Sequence, residues 1–121
     1  NATLKKIRAL GAKPSIAVNP DVPLSQVAGC FDDVDMILMM TVFPGFGGQA
    51  FIPEVLAKIT AVRKLIDARK PGVLIEVDGG IKTDNIATVV QAGGEVIVSG
   101  SGIFKTPNYA DTIRQMRQAV A

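Results

Sequence analysis

Apolar residues fall along this chain in two alternating patterns. Four short runs, at 15–19, 36–42, 73–78 and 96–99, carry β-branched, Met or Leu residues on consecutive positions. Unbroken runs of this length are the signature of strands covered on both faces. Between them the spacing lengthens to that of helices. Ile52, Val55, Leu56, Ile59, Val62 and Ile66 follow the i, i+3, i+4, i+7 rule and predict one buried helix face. Thr83 is placed to cap a helix carrying Ile86, Val89 and Val90, which stops at Gly93-Gly94. Thr106-Pro107 predicts a cap and first-turn proline for a last helix, with Ile113, Met116 and Val120 inward. Shorter helices are expected over 24–31 and over 3–10, the latter ended by Gly11.

This alternation of helices and strands predicts an α/β fold with four parallel strands. Asn19-Pro20, residues 44–49, Asp78-Gly79-Gly80 and residues 99–102 all follow the C-terminal ends of predicted strands. Polar and glycine residues gathered on one rim suit the active face of a TIM barrel. The switch point of a doubly wound sheet gives a similar pattern, so both remain open at this point. Four strands are half a barrel, and a complete one takes about 250 residues. With 121 residues, the chain reads as one unit, 1–121, forming the C-terminal half of a longer (β/α)8 protein.

Composition narrows the chemistry. The chain is 48% hydrophobic and 20% charged, values that suit a globular domain rather than a disordered one. A net charge of +2 without a basic stripe argues against nucleic acid as a partner. No apolar run reaches the roughly 18 residues of a membrane span. The single cysteine, Cys30, excludes an internal disulfide, fits a cytoplasmic setting and reads as a small buried hydrophobe. The chain has no histidine, so it supplies no imidazole base and no His-rich metal site of its own.

Three segments carry candidate chemistry. In residues 40–49 an apolar strand runs into a loop with glycine at 45, 47 and 48, and a helix follows. Backbone N–H groups bared by glycine between a strand and a helix form an anion site, most often for phosphate. Phe46 in that loop is placed to close over a ligand, although a plain flexible loop has the same glycines. In residues 75–81, Asp78 ends a strand and points to the rim, where a carboxylate serves as acid, base or metal ligand; a purely structural Asp-Gly turn is the alternative. Glu76 shares its face but lies deeper, as a satisfied interior carboxylate or ion-pair partner. In residues 98–104, small residues precede a short helix, an arrangement used for phosphate by the last strands of barrels, or simply a tight turn. In a barrel, Gly79 and Gly80 would neighbour Gly100 and Ser101 and share one phosphate with them. Met36, Met39 and Met40 read as strand core, with Met40 also placed to wall the site. Asp32, Asp33 and Asp35 read as a solvated bend on the opposite rim, and Lys82 as an exposed lysine after the Gly-Gly turn.

Taken together, residues 40–49, 76–81 and 98–104 closely resemble the ribulose-phosphate 3-epimerase family. Val18-Asn19-Pro20, the PGFGGQ loop, Val-Asp-Gly-Gly-Ile and Ser-Gly-Ser stand in that family's order, and the likeness runs from Leu4 onward. It implies βα units 5 to 8 of a phosphate-binding TIM barrel and an epimerase that interconverts D-ribulose 5-phosphate and D-xylulose 5-phosphate. By resemblance, two aspartates work on opposite faces of C3 through an ene-diolate. A divalent metal (zinc, iron, manganese or cobalt) would be held by two histidines and both aspartates. Asp78 matches the second aspartate, as catalyst and metal ligand. Gly45, Phe46, Gly47, Gly48, Gly79, Gly80, Gly100 and Ser101 match substrate and phosphate contacts, and Met40 matches the wall of the site. The other aspartate, the histidines and an early serine belong to the family's first half, so this chain alone is expected to be inactive and to hold no metal. Phe43 departs from the Glu, Asn or Asp common there. The similar allulose-6-phosphate 3-epimerases share Phe51-Ile52-Pro53-Glu54, which leaves hexose phosphate open. A non-catalytic phosphate-binding half-barrel and another phosphate-binding barrel, a decarboxylase or isomerase, are the further readings. Exposed half-barrel edges predict a homo-dimer.

Overall fold

The computed structural model describes residues 1–45 and 47–121. Phe46, expected as a ligand contact, lies outside the described residues. Four strands, β1 (Ser15–Val18), β2 (Met36–Met40), β3 (Leu74–Asp78) and β4 (Val96–Val98), form one parallel sheet in the order β1-β2-β3-β4. Chain order and spatial order coincide, so the sheet has no switch point. Successive crossovers of one hand then lay their helices on one face, as in a barrel wall and unlike a doubly wound sheet. The architecture is that of half a TIM barrel.

The burial pattern confirms the one-sided cover. In the register Val18–Met39–Val77–Ile97, side chains point to the helix face, and Val18, Ile37, Met39, Ile75 and Val77 are buried there. Against them pack Val55, Ile59, Val62 and Ile66 of α3 (Val55–Arg69), Ile86 and Val89 of α4 (Ile86–Ala92), Val27 of α2 (Leu24–Ala28), and Leu4 of α1 (Ala2–Ala9). The opposite face carries Leu38, Leu74, Glu76, Asp78, Val96 and Val98 and has no helix over it. Leu74 is 40% exposed, and Val96 and Val98 are each 36% exposed. The expectation of strands covered on both faces is therefore corrected. Consecutive apolar residues report that both faces are suited to burial, and within this chain helices reach only one. Glu76 sits in the middle of the bare face. Its carboxylate makes no hydrogen bond or ion pair among the described residues, so it is not the satisfied interior group expected.

Three helix boundaries also differ, each for a local reason. The 24–31 helix stops at Ala28, and a 3-10 turn, Phe31–Asp33, follows. Thr83 does not cap α4. Asn85 takes that position, its Oδ1 accepting from Lys82 N at 2.8 Å and its Nδ2 donating to Gly80 O at 2.9 Å. Thr106 does not cap the last helix either. Its Oγ1 donates to Ile103 O at 2.6 Å and so satisfies the end of α5 (Ser101–Phe104), while Asn108 caps α6 (Tyr109–Ala119) by accepting from Asp111 N at 3.1 Å. Helix α6 turns Thr112 and Met116 inward, and Ile113 and Val120 are exposed.

Lysines pin loops at both ends of the sheet. Lys58 of α3 donates to Pro20 O at 2.6 Å and Val22 O at 2.7 Å, fastening the loop after β1. Lys70 donates to Asp32 O and Val34 O, both at 3.0 Å, before β2. On that second rim Asp35 pairs with Arg8 at 3.1 Å, so the acidic bend is tied to α1 rather than merely solvated. Among the described residues no helix is long and apolar enough to cross a membrane.

Candidate functional site

The C-terminal ends of β2, β3 and β4 are stitched together before any ligand is considered. Thr41, fully buried just beyond β2, donates its N–H to Asp78 O at 3.0 Å and its Oγ1 to Gly79 O at 2.6 Å. Its own carbonyl accepts from Ile52 N at 2.8 Å. All three groups of this residue are thus spent on holding the end of β3 against the start of the segment leading to α3. Ser99, beyond β4, donates its Oγ to Ile81 O at 2.8 Å and closes the next seam.

Glycine at the centre of this stitching is a steric requirement. Gly79 has φ +138°, and a Cβ there would lie 2.7 Å from both Val42 N and Val42 Cγ2. Gly80 has φ +68°, and its Cβ would run into the backbone of Phe51 and lie 2.9 Å from Gln49 O. L-residues avoid such φ values, and backbone atoms cannot step aside as a flexible side chain can. Gly102 in α5 is similarly filled by the Ile81 carbonyl. The loop after β2 is built differently. Gln49 Nε2 donates to Phe43 O at 2.7 Å and closes its base, but nothing lies within 4 Å of a Cβ placed on Gly45 or Gly47.

These segments enclose an open cleft of about 310 Å³ on the bare side of the sheet. Met40 and Asp78, paired across β2 and β3, form its inner wall, and Gly79, Gly80, Gly100 and Ser101 form one rim. Gly45, Gly47 and Gly48 form the other, with Val42, Pro44 and Gln49 between. Every described residue expected at the site from sequence therefore lines this single cleft. Sequence reading passed over Thr41 and Ser99 as site builders, because a hydroxyl after an apolar strand looks like any strand end until its acceptor is known. It also passed over Lys105, whose Nζ lies 3.7 Å from the position of a Cβ on Gly48.

Asp78 is half-buried and its carboxylate makes no hydrogen bond or ion pair among the described residues, so its oxygens remain available to a ligand. It is one suitable donor for a hard or borderline cation. A metal site needs several such donors, and among the described residues no group of three or more His, Cys, Asp or Glu side chains converges. Glu76 lies two positions deeper on the same face, and the segment has no histidine to add. Among the described residues the donor set does not by itself fit a metal.

Comparison with known proteins agrees with this geometry. The model of the ribulose-phosphate 3 epimerase family matches residues 1–104. Ribulose-phosphate 3-epimerase of Synechocystis is 48% identical over 117 residues, covering 97% of this chain and 51% of the relative. The proteins of the same name from Buchnera aphidicola of Acyrthosiphon pisum and from Escherichia coli are 46% and 44% identical, covering 51% and 53% of the relative. Among solved structures, a chain of the Amycolatopsis orientalis BexX/CysO complex superposes with a TM-score of 0.66 at 20% identity, over 98% of this chain and 46% of that one; this likeness concerns the fold alone. The chain spans about half the length of the curated relatives it matches. With the match running through all four strands and the stitched rim, the chain belongs to the ribulose-phosphate 3-epimerase family.

Proposed function

We propose that this chain provides one catalytic carboxylate and the phosphate cradle of a sugar-phosphate 3-epimerase, acting on D-ribulose 5-phosphate and D-xylulose 5-phosphate. The observation that carries the reading is the meeting of Asp78, Met40 and the two glycine rims in one cleft. A neutral cradle of backbone N–H groups at Gly79, Gly80, Gly100 and Ser101 suits a phosphate end. An unpartnered carboxylate across the same cleft suits proton transfer at a carbon next to a carbonyl. In this reading Asp78 receives the C3 proton on one face as the C2 carbonyl becomes an ene-diolate, or returns a proton to that face in the reverse direction. Met40 presents an apolar wall that keeps water from the reacting carbons. Gly45, Gly47 and Gly48 border the bound sugar phosphate in this reading.

Inversion at C3 needs a second proton donor on the opposite face, and this chain offers one carboxylate at the cleft. The second aspartate and the remaining metal ligands would come from outside the chain, with Asp78 the one ligand that the chain contributes. A divalent metal, when bound, would neutralise the ene-diolate oxygens. The purified chain is thus expected to leave ribulose 5-phosphate unconverted. Mixed or co-expressed with the N-terminal half of the Synechocystis relative, it is expected to generate xylulose 5-phosphate, and Asp78→Asn is expected to lower that rate by about 10³-fold or more. Reconstituted activity unaffected by Asp78→Asn would sink the assignment. Preference of the reconstituted enzyme for allulose 6-phosphate would move the substrate to a hexose phosphate.

The bare sheet face supports a further part of the same reading, self-association. Leu74, Val96 and Val98 are exposed on that face, and β1 and β4 each leave one edge without a strand partner among the described residues. A second copy would cover them as a dimer. Light scattering that finds a monodisperse monomer at high concentration would refute it.

A further inference from the structure

A second cleft, about 240 Å³, adjoins the first. Gly48 and Ser101 line both clefts and so form a wall that the two share. The outer cleft adds two cations, Lys82 and Lys105, which the inner one lacks. Lys105 follows α5 and extends to the glycine loop, its Nζ 3.7 Å from where a Gly48 Cβ would stand. Lys82 follows Ile81, at the seam where Ser99 holds β4 to the turn after β3. Elsewhere Lys58 and Lys70 spend their ammonium groups on backbone carbonyls. The Nζ atoms of Lys82 and Lys105 make no hydrogen bond or ion pair among the described residues.

The inner rim offers N–H groups and a hydroxyl but no formal positive charge. A phosphate dianion in it faces Asp78 across the cleft, which adds to the negative charge of the site. Compact ammonium groups without other partners among the described residues, in the cleft that shares the Gly48–Ser101 wall, are the available compensation. We propose that Lys105, assisted by Lys82, is the cation of the phosphate subsite and acts across the Gly48–Ser101 wall. This rests on the phosphate reading of the rim and adds a charged component to it.

The test is a titration of the purified chain with inorganic phosphate, followed through the amide resonances of Gly79, Gly80, Gly100 and Ser101. Both lysines are solvent-facing, so Lys105→Met and Lys82→Met are expected to leave the remaining amide spectrum unchanged. Lys105→Met should weaken phosphate binding about three- to fivefold, and the double variant about tenfold, with a shallower salt dependence. Lys105→Arg should retain most of the affinity. Rim resonances that respond to phosphate equally in wild type and the double variant would overturn the role of the lysines and leave the phosphate rim standing. Rim resonances that do not respond in wild type would overturn both.

Discussion

The two glycine segments that face each other across the cleft are built on opposite principles. At Gly79 and Gly80 the backbone is threaded through other backbone, with Val42 and Phe51 occupying the space of any side chain. At Gly45 and Gly47 a Cβ would meet no atom within 4 Å beyond the adjoining residues. Glycine is needed at the first pair for the backbone to pack, whereas at the second no such contact demands it. Identical residue types on the two rims therefore do separate jobs: one holds the end of β3 that carries Asp78, and the other lines the cleft without being packed against.

Mutations sharpen that contrast. Gly80→Ala drives a Cβ into the Phe51 backbone at a left-handed φ and should cost about 3 kcal/mol or more, with Gly79→Ala close behind. Urea unfolding that finds either below about 1 kcal/mol would break the distinction. Thr41→Val removes the 2.6 Å hydrogen bond to Gly79 O and strands a buried carbonyl. About 1–3 kcal/mol of stability should be lost, with the Gly79 amide resonance displaced. Lys58→Met frees the carbonyls of Pro20 and Val22 in a loop pinned from a helix rather than from the rim. About 1–2 kcal/mol is expected, because these acceptors are partly solvated once released. Gly47→Ala should change stability by less than about 0.5 kcal/mol, yet weaken phosphate-ester binding, since Gly47 lines the cleft. Equal destabilisation by Gly47→Ala and Gly79→Ala would show that the loop is as rigid as the rim.

The difference between the segments also marks how far the sequence could be read. Strand ends and helix faces were legible because their signals are local. An apolar run ending in Asp78-Gly79-Gly80 places a carboxylate on the rim whatever surrounds it, and the i, i+3, i+4 stripe from Val55 to Ile66 names the buried face of α3. Asn108 and Asn85 were missed because Thr83 and Thr106 offered equally good local signals, and which one is used depends on the turn geometry. Ile103 O, three residues back, claims Thr106. Thr41 and Lys105 were hidden for a different reason, distance along the chain: the first is defined by Gly79, 38 residues away, and the second by Gly48. The bare sheet face was illegible in principle, because Leu38 and Val98 look the same in sequence whether a neighbour covers them or not.

In the proposed reading the stitched rim of this chain is a preformed phosphate cradle beside a free carboxylate. An amide-resolved titration of the chain with D-ribulose 5-phosphate tests it most directly. The expected result is a saturable shift at Gly79, Gly80, Gly100 and Ser101, reproduced at those positions by inorganic phosphate, with a further shift at Asp78 that only the sugar phosphate elicits. Shifts confined to the helix-covered side of the sheet, or none at the rim up to millimolar ligand, would contradict it.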